Sequence, residues 1–221
     1  QFKICKELTM LPTNMRTIEI REPGSPEVLQ LKEREIPAIQ TNEVLVKINT
    51  LGVNGPDIIQ RQGSYPPPKG ASDLMGLEVS GEIIAVGAEV TRWKIGDIIC
   101  ALTNGGGYAE YVAIYADHCL PIPETISTED AGGLCETYFT VWSNIFLDQT
   151  YAKNSAMLVH GGAGGIGSTA IQLGNAFEMR VFTTCSTEEN MAFCESIGAT
   201  QAINYRKDDF VEIIRDAGGV D

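Results

Sequence analysis

The chain has 221 residues, 43% hydrophobic and 20% charged, with 29 acids against 16 bases and a formal net charge of −13. That composition describes a soluble globular chain of one large or two small domains. So acidic a surface repels phosphate backbones and anionic lipid, which argues against nucleic acid or a membrane as partner, and no apolar run approaches the ~18 residues of a spanning helix.

Residues 1–14 read as an N-terminal extension without the basic head and apolar stretch of a secretion signal, and Met15 opens the ordered part. Residues 16–21 and 28–36 read as short strands joined by the Pro23-Gly24-Ser25-Pro26 turn. Residues 43–49 alternate apolar and polar side chains, as a half-buried strand does. Pro56 suits the first turn of a short helix, with Asp57 near its positive end. A Pro- and Gly-rich loop follows at 65–72. Residues 76–89 and 97–102 read as strands, and the Gly105-Gly-Gly107 turn leads into another over 108–114. Many short strands with this punctuation predict a compact, partly open barrel.

The pattern changes near residue 125. Ser127-Thr-Glu-Asp130 has the form of a capping box opening a helix that runs toward Phe146. Strands and helices then alternate: strand 157–159, helix 164–177, strand 181–184, helix 188–197, strand 202–203, helix 209–215. This order calls for a parallel sheet with right-handed crossovers. The expected domains are therefore a β-rich one over 15–138 and an α/β one over 139–221. A fourth strand is due at residues 218–221. Because a doubly wound nucleotide domain has about six strands, the chain reads as a piece of a longer protein.

His160-Gly-Gly-Ala-Gly-Gly-Ile-Gly167 joins a strand to a helix, and Gly162, Gly164 and Gly167 fit G-x-G-x-x-G. The first glycine permits a tight turn, the second lets a pyrophosphate approach bare backbone, and the third lets helix and strand pack closely. The backbone N–H groups of Gly165, Ile166 and Gly167 then face the anion at the helix N-terminus. The strand over 181–184 ends without the acid that binds a ribose 2′-hydroxyl, which leans toward NADPH, although Glu188 and Glu189 follow closely. On a plainer reading, Ser186 and Glu189 cap the next helix. The six cysteines form no C-x-x-C pair and read as reduced thiols of a cytoplasmic protein. His118 and His160 read as structural.

Gly105-Gly-Gly-Tyr-Ala-Glu-Tyr111, the glycine turn, and Ala202-Ile-Asn-Tyr-Arg206 together resemble the zinc-free quinone oxidoreductases related to zeta-crystallin, within the medium-chain dehydrogenase/reductases. Gln60-Arg-Gln-Gly-Ser-Tyr-Pro-Pro-Pro68 is similar to the p53-inducible branch. The resemblance covers residues 15–221. It implies an α/β protein: a GroES-like β-barrel catalytic domain plus a Rossmann doubly wound parallel sheet, here truncated, with the active site in the cleft between them. It implies NADPH as hydride donor, a quinone or similar small electrophile as acceptor, and a homodimer at full length. Asn54 matches the asparagine near the nicotinamide, and Asp57 the acid closing its motif. Tyr65 resembles the tyrosine lining the quinone pocket. Thr140 matches the threonine that contacts the nicotinamide amide. Ser186 and Tyr205 fall in the 2′-phosphate pocket, where Asn190 replaces a common lysine. Cys135 replaces a common proline.

Plainer roles stand beside these. Asn54 could satisfy loop backbone, Asp57 could hold a helix start, Tyr65 could pack on the surface, and Thr140 could bond its own helix. Zinc members of the superfamily use Cys, His and Glu ligands; here Asn54-Gly-Pro-Asp57 and Gly76-Leu-Glu78 leave only Glu78, so no metal is expected. Reduction of an enoyl thioester or alkenal, and NADPH binding without turnover, are the alternatives.

Overall fold

In the computed structural model, residues 3–4 and 12–221 are described. Much of the expected extension, residues 1–2 and 5–11, lies outside them. The chain divides into two compact units, Gln1–Glu136 and Thr137–Asp221.

The first unit is built on alternation. Its strands are β1 (Lys3–Ile4), β2 (Asn14–Ile20), β3 (Leu29–Glu35), β4 (Glu43–Leu51), β5 (Glu78–Val86), β6 (Ile98–Leu102), β7 (Tyr111–Tyr115) and β8 (Cys119–Pro121). The larger sheet has the order β7-β4-β5-β6-β8, and β1 adds to the far end of β5. All its pairings are antiparallel. β4 lies between two neighbours and is buried on both faces over Val44, Leu45 and Val46. Val44 and Val46 join Val79, Ile83, Ile99 and Ile114 in the main core, while Leu45 packs with Ile84 and Ala85 on the other side. Each such fully buried aliphatic side chain contributes about 1.5–3 kcal/mol relative to exposure. β2 and β3 form a separate hairpin whose register runs from Asn14↔Glu35 to Ile20↔Leu29. Its turn holds a 3-10 turn at Pro26–Val28, so the second strand begins one residue later than expected. Helix α1 (Gly55–Arg61) starts with Pro56 in its first turn, as proline's fixed φ and missing N–H favour.

Two expectations need correction here. The strand expected from Tyr108 begins at Tyr111. Ile18 N–H donates to the Tyr108 carbonyl at 2.9 Å, and Thr17 bridges Ala109, so this stretch meets the hairpin first. The single helix expected from Ser127 toward Phe146 is broken. Ser127 does cap, accepting from Asp130 N–H at 3.0 Å, but α2 covers only Thr128–Ala131. Gly132-Gly133 intervenes, then α3 (Cys135–Val141) and a π-type turn at Trp142–Phe146 follow. A Cβ at Gly132 would stand 2.9 Å from the Thr50 carbonyl carbon, so the chain needs glycine to pass β4 there.

The second unit is a three-stranded parallel sheet, order β11-β10-β9, with β9 (Ala156–His160), β10 (Arg180–Cys185) and β11 (Gln201–Asn204). Helices α4 (Gly165–Ala176), α5 (Glu188–Ser196) and α6 (Phe210–Asp216) alternate with the strands. The sheet is covered on both sides, as parallel sheets require. Val181 packs with Ala170, Ile171 and Cys194 on one face, and Phe182 with Ile203 and Ile214 on the other. Residue 221 already lies beside β9: Asp221 N–H donates to the Ala156 carbonyl at 2.9 Å, and Ala156 N–H donates to Asp221 Oδ2 at 2.7 Å.

Candidate functional site

In the first unit, two buried carboxylates hold the loop that carries Asn54. Asp57 is 3% exposed and Glu78 2%, and neither is tolerable at that depth without partners. Asp57 Oδ2 accepts from the Asn54 backbone N–H at 2.8 Å, and Oδ1 from Gly76 N–H at 3.1 Å. The Tyr108 hydroxyl approaches Oδ2 at 3.5 Å. Burial, then the Asp57 charge, pushes that phenol up to about 12. In the sequence Glu78 stands out only as a lone zinc-type acid. It is the second anchor: Oε1 accepts from Asn54 Nδ2 at 2.7 Å, and Oε2 from Glu136 N–H at 2.9 Å. The half-buried Asn54 also caps α1, its side chain and that of Asp57 forming a reciprocal capping box. The neighbourhood is anionic. Burial first, and then Glu78 and Asp57, raise the Glu136 carboxyl above the ordinary carboxylate range.

This pairing was hidden because 24 residues separate Asn54 from Glu78. It follows from β-sheet register, which sets Leu51 opposite Val79. Gly52 is required there, since a Cβ would meet the Glu78 carboxylate at 2.0 Å. Tyr65 takes no part in the network and is 43% exposed in the loop after α1. Arg34 pins that loop's far end, with Nη1 to Asp73 Oδ1 at 2.6 Å and Nη2 to Oδ2 at 2.9 Å. A cavity of about 640 Å³ beside β7 includes none of Asn54, Asp57 or Tyr65. The hydrogen-bond network around Asn54, built on two buried carboxylates, is the better candidate for chemistry.

In the second unit, the glycine turn lies between β9 and α4, as expected. Gly162 N–H and Gly161 N–H both reach the Thr184 carbonyl, at 3.3 and 3.1 Å, which folds the turn over β10. A Cβ at Gly162 would stand 2.1 Å from Thr183 Oγ1, and one at Gly167 2.4 Å from the Gly161 carbonyl oxygen. At Gly164 the nearest atom would be 3.5 Å away. The fold therefore demands glycine at 162 and 167 but leaves 164 open. The backbone ladder of α4 begins with Ser168 N–H to the Gly164 carbonyl at 2.8 Å. The N–H groups of Gly165, Ile166 and Gly167 precede it and point out of the helix start. Gly164, Gly165 and Ile166 are exposed. This cradle fits the pyrophosphate of a dinucleotide. Thr140 is half-buried on α3, and its carbonyl accepts from Asn144 Nδ2 at 2.8 Å.

The strand ends bring Ser186, Asn190 and Tyr205 into one region. Cys185 pairs with Asn204, and Tyr205 N–H donates to the Cys185 carbonyl at 3.1 Å. The cap of α5 is a correction: Thr187, not Ser186, accepts from Asn190 N–H, at 3.2 Å. Extended φ and ψ at Thr187 make it the last residue outside the helix, which leaves the Ser186 hydroxyl free of that task. Glu188 is turned away toward β11, where its Oε1 accepts from Lys207 Nζ at 2.7 Å. His160 Nδ1 lies 3.0 Å from Thr184 Oγ1, and its ring packs edge-on to Phe210.

Residues 40–124 match the family described as the alcohol dehydrogenase GroES-like domain, and residues 165–221 the family described as zinc-binding dehydrogenase. A GroES-like unit followed by a Rossmann-type one defines a medium-chain dehydrogenase/reductase. Within that class the chain is similar to quinone oxidoreductases. It is 32% identical over 203 residues to the quinone oxidoreductase of Mus musculus, covering 91% of this chain and 61% of the relative. The Escherichia coli quinone oxidoreductase complexed with NADPH superposes with a TM-score of 0.79 at 30% identity, covering 92% of this chain and 62% of the other. The Pseudomonas syringae pv. Tomato quinone oxidoreductase gives 0.82 at 29%, covering 92% and 63%. The chain thus spans about three fifths of the length of these relatives.

The zinc in the second family's description does not fit the side chains present. Both Glu78 oxygens are engaged within the fold. Among the described residues no group of three or more His, Cys, Asp or Glu side chains is placed to hold a metal, and a zinc site needs three or four such donors. Among the described residues no helix is long and apolar enough to cross a membrane.

Proposed function

We propose that the protein is an NADPH-dependent, zinc-independent reductase of quinones or similar small electrophiles, cytoplasmic and a homodimer at full length. The observation that carries this reading is the glycine turn, where Gly164 has room for a side chain it lacks beside the three outward N–H groups of α4. A fold that does not need the glycine there points to a ligand that does. When bound, the dinucleotide supplies the hydride.

The chain's own residues orient and hold. Gly162 to Gly167 seat the pyrophosphate. Ser186, Asn190 and Tyr205 would surround the adenosine ribose, and the first acid beyond β10, Glu188, is paired with Lys207. Thr140 contacts the nicotinamide amide. Asn54 would stand near the nicotinamide, with Glu78 and Asp57 as positioning residues that hold it. Both Asp57 oxygens accept bonds within the fold, so that acid holds the loop rather than moving a proton. Tyr65 offers an exposed ring on which a flat quinone stacks. Reduction then follows from alignment and proximity, with little demand for an acid.

The test is oxidation of NADPH against NADH by the purified protein with ortho- and para-quinones and a 2-enoyl thioester. Quinone-dependent NADPH oxidation that falls at least about tenfold in Asn54→Ala and in Tyr65→Ala is the expected result. Turnover of the thioester alone moves the protein to the enoyl reductases. Binding without turnover of either class makes it a binding protein.

A further inference from the structure

The Glu188–Lys207 pair lies at the point where a dinucleotide fold tells NADPH from NADH. A carboxylate just past the second strand favours a free ribose 2′-hydroxyl, and a cation there accommodates a 2′-phosphate. Here the second strand, β10, ends at Cys185, and Glu188 opens α5 three residues later. An anion in the first turn of a helix suits the helix but would oppose an incoming phosphate. The chain meets that conflict from β11. Its last residue, Asn204, is 3% exposed, accepts Arg206 N–H on Oδ1 at 3.1 Å and directs Nδ2 toward Glu188 Oε1 at 3.5 Å. The turn so formed delivers Lys207 to Glu188, with Nζ at 2.7 Å from Oε1. The parallel register of β10 and β11 sets both residues at the same end of the sheet as Ser186 and Tyr205.

We propose that Lys207 is the specificity-determining cation for the 2′-phosphate of NADPH, and that Glu188 holds it beside the pocket until the phosphate takes its place. The proposal rests on the reading that the β10–β11 ends hold the adenosine ribose. The pair is suited to such an exchange. Both side chains are well exposed, at 68% for Glu188 and 64% for Lys207, so their mutual attraction is weak and screened. A doubly charged phosphate competes well for an ammonium under those conditions. The bond to Lys207 holds the Glu188 carboxyl below its ordinary range and lifts the ammonium in return, so both groups are charged at neutral pH. Without Lys207, Glu188 would stand unneutralised at the strand end, and the pocket would turn toward NADH.

Equilibrium dissociation constants for NADPH and NADH, measured by calorimetric titration, test this on the wild type, Lys207→Ala, Glu188→Gln, the double variant and Lys153→Ala. Lys153 pairs with Glu178 elsewhere on the unit and controls for net charge. Lys207→Ala is expected to weaken NADPH about tenfold, the scale of one charge-assisted contact, and to leave NADH within about twofold. Glu188→Gln is expected to tighten NADPH, and Lys153→Ala to change neither. Equal shifts for both cofactors in Lys207→Ala, or none for either, overturn the proposal while a wild type preferring NADPH leaves the parent reading standing. A wild type that binds neither cofactor overturns both.

Discussion

The two candidate sites are built by opposite means. In the first, a side chain is aimed: Asn54 is held at its backbone by Asp57 and at its amide by Glu78, both buried acids with bonds to other segments. In the second, side chains are withheld: the turn from Gly162 to Gly167 works through bare backbone. The first arrangement depends on polar groups finding partners inside the fold. The second depends on space, and the space around each missing Cβ separates glycines the fold requires from one it does not.

The sharpest way to break this comparison is within the turn. Gly167→Ala forces a Cβ to 2.4 Å from the Gly161 oxygen and 2.6 Å from Gly162 Cα, and is expected to cost about 3 kcal/mol in urea unfolding. Gly164→Ala, at the N-cap of α4, is expected to cost only about 1 kcal/mol yet weaken dinucleotide binding at least about tenfold. Equal destabilisation by the two would erase the distinction. In the first unit, Glu78→Ala leaves Asn54 Nδ2 and Glu136 N–H without acceptors. A loss of about 2–3 kcal/mol is expected in the same assay, and a neutral result would mean that water replaces the carboxylate.

Asn54→Asp sharpens the claim about aim, since it sets two carboxylates face to face where an amide now bonds at 2.7 Å. The expected result is a loss of about 2 kcal/mol or more near neutral pH. Much of it should return in the exchanged pair Asn54→Asp with Glu78→Gln, which keeps one donor between the two positions. Failure of the exchange to restore either stability or turnover would show that the orientation of this pair is not what matters. The smallest effect concerns Glu136. Its folded-state pKa is raised from 4.5, so its relative stabilisation is fully present below that value and is lost as pH rises through the folded pKa. Glu136→Gln should therefore raise Tm at pH 7 by about 2 °C, with the gain shrinking toward pH 4.

Periodicity made most elements legible. The strand at β4 and the β-α order after residue 156 rest on local spacing and the structure follows them, although burial of Val44, Leu45 and Val46 on both faces replaces the half-buried alternation expected there. What escaped was set by distant neighbours. The break at Gly132-Gly133 is imposed by β4 passing at Thr50, and the choice of Thr187 over Ser186 as cap depends on which residue adopts extended angles beside β10. The glycine turn was readable because its strand-turn-helix context is local. The Glu78 anchor and the Glu188–Lys207 pair were not, because each joins residues about 20 positions apart through sheet register. Asn54 and Thr140 entered through family resemblance, and only the fold shows what holds the first of them.

The chain has two tryptophans, and the architecture places one in each unit. Trp93 donates its indole N–H to the Ala116 carbonyl at 2.9 Å, under the Arg92 guanidinium. Trp142 stacks on Phe146 and leans against Phe177, 41% exposed. The protein thus carries a built-in optical label for each half. Single Trp→Phe replacements would isolate the emission of the other indole, and the melting of the barrel side and of the dinucleotide side could then be followed separately in one solution without any attached dye.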